Sequence, residues 1–178
     1  AWSGWCVPWA SVLNSRFDRT EAAVNWLHVW KETFTNAGRG TLHNAAFPGF
    51  SVIYHPVWEK YDGQNGEIMQ LDAGFGAITA VTELLVQNRP DGIHVLPSLH
   101  RDWEELSFDN LGAEGAFRIS AEVEEGKVAE VRVKSMAGGP LKLVHNLGDR
   151  WSMNGQEMSG PMLEKDCSTG ADTVLKRL

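Results

Sequence analysis

The amino-acid sequence predicts an α+β protein, with helices first and an antiparallel β domain after them. Up to about residue 90, outside an aperiodic stretch over 37–71, apolar side chains recur at spacings of three and four, the period of a helix with one buried face. Beyond Gly92 the period becomes two, as in strands with one face on a core. The two patterns do not alternate along the chain, which argues for two units rather than one α/β sheet. The division falls between residues 91 and 92, giving a helical part over 1–91 and a β part over 92–178.

The elements follow in order. Trp5, Trp9, Val12 and Leu13 share one face of a first helix that starts or kinks near Pro8 and ends at Asn14-Ser15. Asp18-x-x-Glu21 reads as a capping box for a second helix, whose inner face is Ala23, Trp26, Leu27, Trp30 and Phe34. Asn36-Ala37-Gly38 stops it. Residues 37–71 carry no period and are punctuated by glycine and proline; a loop of this length is commonly functional. His43, His55, Trp58 and Tyr61 lie in it as candidates to line a binding pocket. A third helix runs from about Ala73 to Gln87, with Phe75, Ile78, Val81 and Leu85 inward and Ala77, Ala80 and Leu84 widening that face, so that the helix is expected to be buried on most sides; Arg89-Pro90-Asp91-Gly92 ends it. Phe117, Ile119, Ala121 and Val123 then alternate with polar residues. Glu124-Glu125-Gly126-Lys127 makes a turn, Val128, Val131 and Val133 supply the return strand, and Leu141, Leu143 and Trp151 mark further strands. Asn154-Gly155 signals a two-residue hairpin.

Composition narrows the function classes. A formal net charge of -7 argues against nucleic acid and against an anionic membrane surface. No apolar run approaches the ~20 residues of a membrane-spanning helix. The two cysteines, Cys6 and Cys167, are far apart and read as buried thiols rather than a disulfide framework. The six histidines lack metal-ligand spacing, and Gly74-Phe75-Gly76 lacks the third glycine and preceding strand of a nucleotide loop, so neither metal nor cofactor is expected. Eight tryptophans are many for 178 residues. Most are read as core, with one or two suited to stacking on the C–H face of a sugar.

The run Gln70-Leu71-Asp72-Ala73-Gly74-Phe75-Gly76 places one carboxylate at the start of a strongly apolar helix. First-turn N–H groups have no intrahelical partner, so an anion there is stabilised. The glycines allow a sharp turn or the close approach of another group. Asp72 thus serves as a helix cap or as a site carboxylate.

This run resembles the Gln-Ile-Asp-Gly-Asn-Phe-Gly segment of glycoside hydrolase family 95, the inverting α-L-fucosidases and their relatives. Trp2-Ser3-Gly4-Trp5 with Trp9-Ala10 resembles the tryptophan-rich helix before that segment. Ile93-His94-Val95-Leu96-Pro97-Ser98-Leu99, followed by Trp103 and Gly115-Ala116-Phe117, resembles a later one. The resemblance runs over about residues 2–135. It implies the last helices of an (α/α)6 barrel followed by a C-terminal β-sandwich, with most of the enzyme upstream; the start Ala-Trp-Ser suits such a fragment or a processed product. It also implies an extracellular or periplasmic setting and a glycan substrate.

Inverting glycosidases place an acid and a base across the scissile bond, typically ~6.5–9.5 Å apart. The resemblance assigns Asp72 to the base side, puts the acid upstream, and makes Gln70, Phe75 and Gly76 scaffolding. The chain departs from the family at Ala73-Gly74, where the family has Gly-Asn, and at Gly66, where it has a substrate-binding His. It also reads Glu67-Ile68-Met69 where the family tends to have a Pro-Pro pair. These departures leave the sugar open between a fucoside and another glycoside such as a galactoside. Three readings follow: the C-terminal part of a family 95-like hydrolase, a non-catalytic carbohydrate-binding module on the β domain, or a catalytically dead homologue. Under the first, the isolated chain is inactive and self-associates through its aromatic helices.

Overall fold

The computed structural model describes residues 2–44 and 68–178. The chain forms two compact units, Ala1–Glu83 and Leu84–Leu178. Among the described residues there are three helices, α1 (Cys6–Arg16), α2 (Thr20–Thr33) and α3 (Leu71–Leu85), and then ten strands. The architecture is α+β, as the sequence predicts. None of the described helices is long and apolar enough to cross a membrane.

In the helical unit, small residues make the contacts. Val7, Pro8, Ser11 and Ser15 of α1 are buried, as are Thr20, Ala23, Val24 and Thr33 of α2. The Ser11 hydroxyl donates to the Ala23 carbonyl at 2.8 Å, joining the two helices. Pro8 falls in the first turn of α1, where its missing N–H breaks no helical bond. The helix α2 begins one residue later than its expected cap: Arg19 stands at the N-cap, and Asp18 takes a left-handed conformation in the preceding turn. That turn is closed by Arg19 N–H bonding to the Asn14 carbonyl at 2.9 Å.

The expected inner faces are corrected on two helices. Trp5, Trp9 and Leu13 of α1 are 46%, 57% and 42% exposed. On α3, Phe75 and Ile78 are each 65% exposed and Val81 is 49%, whereas Ala73, Ala77, Ala80 and Leu84 are buried. Small side chains let helices approach closely. The large ones at helical spacing therefore form a second apolar face, pointing away from the contacts within this unit. The α3 expectation is met at Ala77, Ala80 and Leu84, and the α2 expectation is met in part: Ala23 and Phe34 are buried, and Trp26, Leu27 and Trp30 are half-buried.

The β unit opens earlier than the pattern predicts. The helix α3 ends at Leu85, and β1 (Val86–Arg89) follows at once, pairing with β2 (Gly92–Val95) across the Pro90-Asp91 turn. The strand β1 thus lies in the stretch that the sequence reading gives to the helical part. Next come β3 (Leu106–Ala113), β4 (Phe117–Glu124), β5 (Lys127–Ser135), β6 (Gly139–Val144), β7 (Arg150–Met153), β8 (Gln156–Ser159), β9 (Met162–Cys167) and β10 (Asp172–Arg177). They form two sheets, ordered β1-β2-β6-β9 and β3-β4-β5-β10-β7-β8. Pairing is antiparallel except between β2 and β6, which run parallel.

Both predicted turns are present. Glu125 and Gly126 join β4 to β5, and Asn154 and Gly155 join β7 to β8, all four with positive φ, which matches the twist of the flanking strands. The strands β4 and β5 bury alternate residues. A continuous core runs between the sheets, from Ile93, Leu141, Leu143 and Leu163 on one to Ile119, Val131, Trp151 and Leu175 on the other. Trp151 is 1% exposed, and its indole N–H donates to the Gly160 carbonyl at 2.8 Å.

His145 is fully buried in this core, with its ring centroid 4.4 Å from that of Trp151. Its Nδ1 accepts the Leu147 N–H at 3.2 Å, and its Nε2 is buried without a partner. Burial lowers its pKa to about 4, so the imidazole is neutral at physiological pH. Cys6 and Cys167 are both free thiols.

Candidate functional site

The surroundings of Asp72 are assembled from three chain segments of the helical unit. After α2, the chain at Thr41–His43 runs back beside its end, with Leu42 N–H donating to the Phe34 carbonyl at 2.8 Å. The other edge of this segment meets the residues that lead into α3. His43 N–H donates to the Ile68 carbonyl at 2.7 Å, Gln70 N–H donates to the Thr41 carbonyl at 2.8 Å, and Leu42 faces Met69 in an antiparallel bridge. The Thr41 hydroxyl donates to the Gln70 carbonyl. These bonds fix where α3 begins.

The start of α1 is tied to the same ribbon. Gly4 N–H donates to the His43 carbonyl at 2.9 Å, and Trp5 N–H donates to Gln70 Oε1 at 3.0 Å. Position 4 has no room for a side chain: a β-carbon there would lie 1.9 Å from the Leu42 carbonyl oxygen and 2.8 Å from Gln70 Oε1. Further along, Pro8 packs against Gly76, where a β-carbon would come within 3.2 Å of it. Beyond that, the Arg16 guanidinium grips both oxygens of Glu83 at 2.5 and 2.7 Å. The residue pairs 5/70, 8/76 and 16/83 advance together, so α1 and α3 run parallel and their N-termini share one end.

Asp72 is the second residue of α3, and its side chain is exposed at that shared end. It takes no hydrogen-bond or ion-pair partner among the described residues. Unpaired first-turn N–H groups and the aligned peptide dipoles favour negative charge at such an end. A carboxylate held there in solvent can accept a proton or orient a water molecule. The glycines beside it are helical rather than turning. Gly74 admits Thr41, whose methyl would lie 2.9 Å from a β-carbon, and Gly76 admits Pro8. Of the two roles that the sequence allows them, the structure shows close approach.

Gln70 is scaffolding through its side-chain carbonyl, which anchors Trp5. Phe75, also read as scaffolding, contributes mainly to the exposed apolar face. His43 joins the brace through its backbone; its half-buried ring has Nδ1 buried without a partner. His55 and Trp58, with Tyr61, lie outside the described residues. Sequence reasoning missed the roles of Thr41, Leu42 and Trp5 in holding the start of α3. The one legible cue was Gly4, a residue without a side chain between Ser3 and Trp5.

No family model matches the chain. Among curated proteins it is similar to α-L-fucosidase 2 of Arabidopsis thaliana, with 28% identity over 132 residues, or 71% of this chain. The chain spans only 14% of that protein's length. It is thus distantly homologous to part of an α-L-fucosidase.

Proposed function

We propose that the chain is the C-terminal part of an inverting glycoside hydrolase of the family 95 type. In this reading the helical unit supplies the last helices of an (α/α)6 barrel, and Asp72 acts on the base side of the reaction. The observation that carries the reading is the exposed Asp72 carboxylate at the shared N-terminal end of two parallel, braced helices. The similarity to an α-L-fucosidase supports the same reaction class. The substrate is a glycan with a terminal glycosidic bond, and the setting is extracellular or periplasmic.

In the mechanism, an acid from the upstream barrel protonates the leaving oxygen while Asp72 polarises a water on the opposite face of the sugar. The chain contributes the second of these groups and its support. Asp72 must therefore act together with upstream residues, and 1–178 alone should not turn over an aryl fucoside or galactoside. In the longer protein, Asp72→Asn keeps the shape and removes the charge. It should lower kcat by about 10²–10⁴-fold with little change in KM, because general-base assistance acts in the transition state. A variant within twofold of the parent would leave Asp72 as a helix cap.

A further inference from the structure

The outer face of the six-stranded sheet carries a groove of about 440 Å³ over β3, β4 and β5. This face is separate from the packed interior: Phe108 and Ala121 turn toward the core, and the residues alternating with them face outward. Strand register sets Ser107 opposite Glu122, Glu122 opposite Glu130, and Ser120 opposite Arg132. An irregularity in β3 after Phe108 brings Asp109 onto the same face, where the Ser120 hydroxyl donates to Asp109 Oδ1.

The polar groups are held in place. Lys176 Nζ lies 2.8 Å from one oxygen of Glu130, and Arg132 bonds the other. The Lys176 hydrogen bond holds the Glu130 carboxyl below its ordinary range. Asp109 takes one side-chain hydrogen bond on each oxygen, from Ser120 and from Asn110. Capacity remains on each side of the groove. A carboxylate oxygen has two lone pairs, so Asp109 can accept more, and Arg132 keeps N–H donors beyond the one given to Glu130. Glu122 is exposed; among the described residues its carboxylate makes no hydrogen bond or ion pair, though the Lys176 charge acts on it at longer range.

The chemistry narrows the ligand. Lys176 and Arg132 interleave with the carboxylates, so the groove presents no single-sign field for a polyanion. Among the described residues, no group of three or more His, Cys, Asp or Glu is placed to hold a metal ion. Phe108, the large apolar residue of the lining, packs against the core, so the outward face offers no apolar anchor for a hydrophobic peptide. What fits is a neutral molecule carrying donors and acceptors at every position, since each hydroxyl can give a proton to a carboxylate and accept one from a guanidinium. We propose that the groove over β3, β4 and β5 binds a short neutral oligosaccharide, with Asp109 and Glu122 as acceptors and Arg132 as donor. The site is independent of Asp72.

The test is a titration of isotope-labelled 1–178 with neutral cello-, xylo- and galacto-oligosaccharides, following backbone amide resonances. Calcium and a heparin fragment are run alongside. Amides of residues 107–109, 120–122 and 130–132 should shift with at least one neutral sugar. Arg132→Ala and Glu122→Gln should each weaken binding about tenfold, the loss of a charge-assisted hydrogen bond. Glu122→Gln is isosteric at an exposed position, so it keeps the test valid if Arg132→Ala perturbs folding. Asp72→Asn should leave binding unchanged. The proposal is overturned if no neutral sugar shifts these amides, if shifts fall elsewhere, if groove variants bind as well as the parent, or if only calcium or heparin gives the response.

Discussion

The two units place similar apolar material in opposite ways. In the β unit, alternating residues turn inward from two sheets onto one core, and its tryptophan at position 151 is 1% exposed. In the helical unit, mostly small residues make the contacts, with Val7, Phe34 and Leu42 buried among them, while Trp5, Trp9, Phe17, Phe75 and Ile78 lie between 46% and 71% exposed. A strand has two faces, and alternation says which one is buried. A helix can carry two apolar faces at once, and its own sequence does not say which one meets a neighbour within the chain. Trp9 on α1, Phe75 and Ile78 on α3, and Trp5 and Phe17 at the two ends of α1 leave large apolar side chains in solvent, and exposed apolar surface favours association. This supports the proposal that the helical unit packs against upstream chain or, when isolated, against itself.

The largest effect that sharpens this contrast is expected at Trp151. Trp151→Ala removes a buried ring and its hydrogen bond to Gly160, and should cost about 3–5 kcal/mol. Trp9→Ala, at a 57% exposed site, should change stability by less than about 0.5 kcal/mol. Urea unfolding of both variants, followed by circular dichroism, measures the difference. Equal losses would mean that the two units bury their aromatics alike.

Acid comes next, and it should act on the β unit. The His145 pKa falls from 6.5 in the unfolded chain to about 4 in the fold. Above pH 6.5 both states are neutral and stability is full. As pH falls below 6.5 the unfolded chain takes up a proton that the buried ring excludes. Stability then drops by about 1.4 kcal/mol per pH unit until the native imidazole titrates near pH 4. The total is on the order of 3 kcal/mol. Unfolding measured between pH 4 and 7 should show this slope in the parent and lose most of it in His145→Leu. Parallel slopes in the two proteins would remove His145 as the cause.

A smaller loss is expected where the helical unit is tightest. Gly4→Ala forces a β-carbon against the Leu42 carbonyl and the Gln70 side chain, and should cost about 1–3 kcal/mol. Hydrogen exchange should rise at Trp5, His43 and Gln70, whose N–H groups form the brace, with the β unit unchanged. Unaltered exchange at those amides would mean that the ribbon absorbs the methyl group.

The smallest effect on stability, and the sharpest test of the exposed face, comes from Phe75→Glu combined with Ile78→Lys. Both positions are 65% exposed, so stability should move by less than about 0.5 kcal/mol each. Sedimentation over a range of concentrations should show the parent associating and the double variant less so. A parent that stays monomeric at all concentrations would show that this face needs no cover.

The sequence by itself determined the order of the elements, the two β turns at Glu125-Gly126 and Asn154-Gly155, and the alternation that sends Ile119, Ala121 and Val131 inward. It also singled out Asp72 at a helix start. All of these are local: a turn needs particular φ values, a strand has a fixed period, and a helix start offers unpaired N–H groups. Tertiary structure decided the rest. Periodicity could not choose between the Phe75/Ile78/Val81 face and the Ala73/Ala77/Ala80 face of α3, because both are apolar and the choice depends on what lies alongside. The early strand β1 was hidden because Val86–Arg89 continues a helical pattern, and only pairing with β2 makes it extended. The brace of Gly4, Trp5, Thr41, His43 and Gln70 joins residues up to 65 positions apart, mostly through backbone groups that every residue type carries. Such bonds leave no mark on composition or spacing, so the setting of Asp72 emerged only when the chain was folded.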